Sequence, residues 1–141
     1  MTEFATTTAF RLVRRLAIGQ DSTSMYLLVC EEDAESVVSD LRVEIGVQMT
    51  LPLPVARVSE TNVEFPESGS IRGVVIDQWS PDLVAALDTH VIRIERTRAQ
   101  FLFITSPAIA ERLLVEAPNF RNRLTEVLQI VPDTATEGAS C

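Results

Sequence analysis

Three apolar runs, each as long as a β-strand, are closely followed by residues that favour the start of a helix. The runs are Met25–Cys30, Ile71–Asp77 and Gln100–Thr105. Apolar runs without polar alternation are typical of parallel strands that are covered on both faces. The residues that follow them are good helix caps or first-turn residues, namely Asp33, Ser80-Pro81 and Ser106-Pro107. This order predicts strands joined by crossover helices.

We therefore predict an α/β fold with three layers, in which a mostly parallel sheet of about five strands lies between helices. Two strand orders fit this pattern, that of phosphate-loop (P-loop) NTPases and that of flavodoxin-like receiver domains. In the phosphate-loop order another strand separates the strands that end at Cys30 and Asp77. The sequence leaves this choice open.

The first half of the chain contains two further helix signals. Threonines followed by apolar residues at helical spacing predict a helix over residues 8–18, with its apolar face formed by Phe10, Val13, Leu16 and Ala17. The helix that begins after Asp33 is expected to end at Gly46.

The remaining segments give weaker signals. Leu53–Val58 is a predicted edge strand, because the prolines at its start cannot donate to a strand ladder. Residues 59–70 are expected to form an exposed loop. Residues 120–128 are read as helix or loop, and Leu128–Val131 as a last strand. We expect residues 1–132 to form one domain and residues 133–141 a flexible polar tail.

Ligands of open parallel sheets bind beyond the carboxyl ends of the strands. The side chains expected at that edge are polar, acidic or aromatic: Glu31, Glu32, Asp77, Trp79, Thr105 and Ser106. We take these six residues as a candidate interaction or ligand edge.

The chain contains no lysine, since all twelve of its basic residues are arginine. A phosphate loop needs glycines, so that amides approach the phosphates, and a lysine that neutralises them. The turn between Cys30 and Ser36 has neither and carries four acids instead. Each close pair of like charges near a surface costs about 4 kcal/mol. NTP binding at this turn is therefore not expected.

Other chemistries fit no better. Glu31, Glu32, Asp77 and Thr105 are placed like the acids and hydroxyl of a receiver domain, but such a domain also needs a lysine. Acids at a helix N-terminus also have a simpler role in compensating the helix dipole. No spacing brings Cys30 and His90 together, and each is interpreted as a structural residue. We predict no catalytic residue, no metal and no cofactor.

Composition excludes some classes of binding partner and indicates the cellular compartment. A net charge of −8 disfavours nucleic acid. No apolar run approaches the roughly 20 residues of a membrane span, and the N-terminus does not resemble a signal peptide. Two cysteines do not form a disulfide framework. We expect a cytoplasmic protein that contacts neither nucleic acid nor membrane.

Several stretches together resemble a known family. They are the helix around Leu12-Val13-Arg14-Arg15-Leu16, the strand Ser24–Glu31 with its acidic turn, Val74–Asp77, Ile92–Arg98, Phe101–Ser106 and Ala110–Leu124. Val74–Asp77 is placed like a decayed Walker B strand, and Phe101–Ser106 like a sensor strand. Over residues 10–132 the chain resembles the inactive, degenerate relatives of STAND-type P-loop NTPases of bacterial signalling and conflict proteins.

That resemblance implies an adaptor or scaffold that has lost NTP binding and works with an effector protein, a repeat-containing protein or a second copy of itself. Two alternatives remain open. One is a sensor of a small anion or nucleotide, using Asp77, Thr105 and the arginines Arg112, Arg121 and Arg123. The other is a degenerate receiver-like dimerisation module.

Overall fold

The computed structural model of this chain describes residues 4–18, 24–31, 33–58, 69–96 and 99–131, without the side chains of 90–95. The strands are β1 (Ala5–Thr8), β2 (Ser24–Val29), β3 (Val55–Val58), β4 (Ile71–Ile76), β5 (Gln100–Thr105) and β6 (Glu126–Val131). The helices are α1 (Ala9–Ile18), α2 (Ala34–Gln48), α3 (Pro81–Arg96), α4 (Pro107–Glu116) and α5 (Pro118–Arg123).

All six strands belong to one parallel sheet with the order β1-β6-β2-β5-β4-β3. The predicted three-layer α/β fold is confirmed, although the sheet has six strands instead of about five. Strand β5 lies between β2, which leads to Cys30, and β4, which leads to Asp77. This is the order that we associated with phosphate-loop proteins and not with receiver domains.

Two hydrophobic cores cover the two faces of the sheet. Alternate residues of each central strand point to opposite faces, so that Leu28 and Leu102 pack with α1 and α2, whereas Leu27 and Phe103 pack with the other three helices. The ring of Phe120 in α5 meets that of Phe103 edge to face, with 5.0 Å between ring centroids. Burial on both sides explains why the central strands are continuously apolar.

The sequence did not reveal the edge strand β1. Residues Ala5–Thr8 pair with β6, and Thr8 is the last residue of the strand, so α1 begins at Ala9 and not at residue 8. The Thr8 hydroxyl oxygen accepts a hydrogen bond from the Arg11 amide at 3.3 Å, as an N-cap does. Thr8 therefore belongs to strand β1 and also caps helix α1.

The predicted apolar face of α1 was wrong at Phe10, whose side chain is 47% exposed. The buried residues of this helix are Ala9, Leu12, Val13 and Leu16, so the face is rotated by about one position from the predicted one. A buried position at Ala9 directs its neighbour Phe10 towards the outer surface.

Helix α2 passes through Gly46 and ends two residues later, at Gln48. The residue with the left-handed backbone is Thr50, with a φ of 56°, and the Met49 amide closes the helix on the Ile45 carbonyl at 2.9 Å. A Cβ atom at position 46 would meet nothing within 4 Å. The predicted stop at Gly46 was therefore wrong.

The remaining elements follow the predicted order, with shifted bounds. The edge position of β3 is confirmed, but the strand begins at Val55 and not at Leu53. The stretch read as helix or loop over 120–128 divides into α5, which ends at Arg123, and β6, which begins at Glu126. Most of the predicted loop over 59–70 and the predicted tail over 133–141 lie outside the described residues.

Replacing Gly46 with alanine should raise the free energy of unfolding by about 0.5–1 kcal/mol, because glycine is unfavourable inside an exposed helix. Urea denaturation measures this change. The matched control is Gly69→Ala, where φ is +110° and Pro54 Cγ would lie 3.1 Å from the new Cβ. That variant should be less stable than the wild type. A destabilising Gly46→Ala would contradict the helix assignment.

Candidate functional site

The carboxyl ends of the three central strands lie level with one another. Val29 pairs with Thr105, and Thr105 pairs with Ile76. The next residue of each strand, namely Cys30, Ser106 and Asp77, therefore lies at the same edge of the sheet. Of the six predicted edge residues, Asp77, Thr105 and Ser106 therefore lie at this end of the sheet, and Glu31 directly follows Cys30.

The amides at the start of α2 are bonded to Asp33. Its carboxylate Oδ1 accepts from the Glu35 amide at 3.2 Å. Its carbonyl oxygen accepts from the amides of Ser36 and Val37, at 3.1 and 3.4 Å. The Val37 bond is the ordinary first bond of the helix, whereas the amides of Glu35 and Ser36 lie in the first turn, where helix N-termini can bind anions. A carboxylate and a carbonyl of Asp33 accept from these two amides here.

Arg57 connects two acidic groups of this edge. Its guanidinium forms ion pairs with the carboxylates of Glu35, in the first turn of α2, and Asp77, at the end of β4. Strand β3 positions Arg57 there, because Arg57 pairs with Val75, close to the end of β4. We call Glu35, Arg57 and Asp77 the edge triad. One guanidinium charge meets two carboxylates there, so the edge triad keeps a net charge of −1.

The hydroxyls of Thr105 and Ser106 serve the fold. Thr105 is 2% exposed, and its hydroxyl donates to the Ile76 carbonyl at 2.9 Å. Ser106 is the N-cap of α4, and its hydroxyl oxygen accepts from the Ile109 amide at 3.4 Å. Both predicted edge residues are in place, and both side chains are bonded within the chain.

Trp79 is half-buried against the core of its layer. The Arg112 guanidinium carbon lies 3.4 Å from the centre of the indole ring, a cation–π contact. The Arg112 Nε also donates to Glu116 at 3.1 Å. One face of this aromatic ring is therefore covered by a side chain of α4.

The other predicted residues differ in how much the structure says of them. Glu31 is exposed, whereas Glu32 and the side chain of His90 lie outside the described residues. Cys30 is 4% exposed, and its amide donates to the Thr105 carbonyl at 2.9 Å. Within the described residues, no group of three His, Cys, Asp or Glu side chains is placed to hold a metal ion.

Two of the three arginines proposed for anion sensing form their contacts with residues other than Asp77. Arg112 is engaged by Trp79 and Glu116, and Arg121 donates to the Leu114 carbonyl at 3.4 Å. Arg57 is the arginine that contacts Asp77, and sequence reasoning did not single it out. Arg57 reaches Asp77 because β3 and β4 are neighbours in the sheet, and their positions in the sequence do not reveal this.

Comparisons with protein families, with curated proteins and with solved structures give no match. Across the part of the chain that the structure describes, no helix has both the length and the apolarity that a bilayer span requires.

Replacing Thr105 with valine should lower the free energy of unfolding by about 1–2 kcal/mol, because the buried Ile76 carbonyl loses a donor. Urea denaturation measures the loss. The matched control is Thr6→Val, at an exposed strand position, with an expected change within about 0.5 kcal/mol. Equal stability of the Thr105→Val protein and the wild type would speak against a structural role for this hydroxyl.

Replacing Arg57 with glutamine should destabilise the protein by about 1 kcal/mol or less, because exposed ion pairs contribute little. The triad side chains of Glu35, Arg57 and Asp77 are 61%, 46% and 40% exposed. The loss should shrink at high ionic strength. Arg14→Gln is the control, since Arg14 forms no ion pair within the described residues. Identical salt dependence of the two variants would contradict the assigned pairing.

Proposed function

We propose that this chain is a non-catalytic protein-interaction domain whose phosphate-loop-like fold does not bind nucleoside triphosphates. The observation that carries the proposal is that groups of the chain itself bond the polar atoms at the start of α2. The amides of Glu35 and Ser36 are bonded to Asp33, and Arg57 is shared between Glu35 and Asp77. Binding a polyphosphate there would require breaking these contacts.

The charges at this edge also disfavour nucleotide binding. An incoming triphosphate would meet the carboxylates of Glu31, Asp33, Glu35 and Asp77, and no lysine exists to neutralise it. One arginine shared by two carboxylates leaves the edge triad with a net charge of −1, which does not attract a polyanion. This balance supports the loss of nucleotide binding.

The surface supports the interaction role. Among the described residues, five large hydrophobic side chains are exposed, and four of them lie on α1 and α2: Phe10, Ile18, Val43 and Val47. These two helices pack against the same face of the sheet. Exposed apolar groups that concentrate on neighbouring elements are typical of protein-binding surfaces. An adaptor needs such a surface and needs no catalytic site.

The resemblance to degenerate STAND-type proteins supports the biological setting that we propose. In that setting the domain works in the bacterial cytoplasm, in a signalling or defence system. Its partner is an effector protein, a repeat-containing protein or a second copy of the chain. The strand order of the sheet fits this ancestry better than that of a receiver-like module.

Isothermal titration calorimetry with ATP or GTP, each with and without Mg²⁺, tests the loss of nucleotide binding. We expect no saturable heat at millimolar ligand, because the edge is negatively charged and internally bonded. Micromolar affinity for either nucleotide would overturn the proposal.

A variant with Glu35→Gln and Asp77→Asn tests the reason for the loss. It releases the Arg57 guanidinium, so that pyrophosphate should raise the melting temperature of the variant and leave that of the wild type unchanged. The matched control is Glu116→Gln, which removes an exposed arginine–carboxylate pair on α4 and not at the edge triad. Absence of a shift in the double variant would contradict the role assigned to the triad.

A further inference from the structure

The outer surface of α1 and α2 combines apolar and basic side chains. We define the α1–α2 surface by six exposed residues: Phe10, Arg11, Arg14, Ile18, Val43 and Val47. Phe10, Arg14 and Ile18 are spaced by one helical turn each, so they form a row on α1. Val43 and Val47 form a second row on α2. The side-chain Nε2 of Gln48 donates to the Phe10 carbonyl oxygen at 3.2 Å, and this bond joins the two helices.

This surface is basic although the chain as a whole carries a net charge of −8. Helix α1 contains three arginines and no acid. Arg15 is paired with Glu126, and this bond raises the pKa of Arg15. Arg11 and Arg14 are exposed and form no ion pair within the described residues.

Within the described residues, no carboxylate of α2 forms an ion pair with Arg11 or Arg14. Asp40 and Glu44 are half-buried, and the Glu44 carboxylate accepts from the Gln48 side chain at 3.4 Å. Arg42, on the exposed side of the same helix, uses its Nε to bond the Leu53 carbonyl at 3.3 Å. The apolar rows therefore lie beside two arginines whose charges are met by solvent.

We propose that the α1–α2 surface binds a short amphipathic helix of a partner protein, whose apolar side is flanked by aspartate or glutamate. This inference rests on the proposed interaction function and names the chemistry of the partner. The apolar stripe of such a helix covers Phe10, Val43 and Val47, as in helix-in-groove recognition. Its acids pair with Arg11 and Arg14.

The distribution of charge on this protein favours binding of a short acidic peptide over binding of a polyanion. A short segment brings one or two carboxylates, which the two arginines match. Nucleic acid or an anionic membrane presents a continuous negative surface, which the remaining charge of this chain repels. Complementary charges also orient the partner and speed the encounter.

Selection from a phage-displayed library of random peptides, long enough for about four helical turns, tests the inference on the full chain. The selected peptides should carry apolar residues at helical spacing with flanking Asp or Glu. Fluorescence polarisation then gives the affinity of the best peptide. Selection of basic peptides, or of none, would overturn the proposal.

Two sets of variants locate the binding site for the best peptide. Val43→Ser with Val47→Ser should weaken binding about tenfold or more, whereas Val115→Ser, on α4 and similarly exposed, should leave it unchanged. These positions are solvent-exposed, so the variants should fold, and circular dichroism checks that they do. Equal affinity of the serine variants would place the site elsewhere and overturn the proposal.

Charge reversal provides the second test. Arg11→Glu with Arg14→Glu should weaken binding about tenfold, and a peptide with its acids changed to lysine should bind this variant better than the wild type. Arg96→Glu, at an exposed position of α3, is the control without effect. Lack of this reciprocal preference would overturn the charge pairing.

Other ligands that could bind the α1–α2 surface are distinguished by separate measurements. Saturable binding of single-stranded DNA, or of vesicles containing phosphatidylserine, that the arginine variant abolishes would overturn the proposal in favour of a polyanion. A homodimer in light scattering that the serine variant dissociates would show that a second copy binds this surface, and would overturn the proposal. Nucleotide binding would refute the proposed function alone, and peptides that bind another surface would refute this inference alone.

Discussion

The common direction of the six strands is the constraint on which the rest of this structure depends. Because the strands are parallel, crossover helices begin at the edge where strands end, and helix N-termini gather there with polar side chains. Unpaired amides and carboxylates at such an edge need partners, supplied either by a ligand or by the chain. In this protein Asp33 and Arg57 supply them.

The edge triad therefore has two consequences. It links the start of α2 to the ends of β3 and β4, and it engages Arg57, the arginine that pairs with Asp77 among the described residues. Helix N-termini at such an edge are common anion sites, and in this protein contacts within the chain engage the amides of Glu35 and Ser36. We propose that recognition has moved to the outer side of α1 and α2, where apolar and arginine side chains remain exposed.

The layers were predictable from the sequence because strands buried on both faces leave uninterrupted apolar runs. Gln100–Thr105 was placed to the residue, and so was the Ser106 cap that follows it. Strand Ala5–Thr8 was missed, since three threonines resemble a helix cap as much as a strand. Arg57 could not be assigned, because its partners depend on which strands are neighbours, and local patterns do not encode lateral order.

The most direct test of the central claim is a crystal structure determined with a millimolar non-hydrolysable ATP analogue and Mg²⁺. We expect Arg57 to lie between Glu35 and Asp77, the amides of Glu35 and Ser36 to be bonded to Asp33, and no nucleotide to be bound at this edge. Nucleotide density against the amides of Glu35 and Ser36, with Arg57 displaced from Asp77, would contradict it.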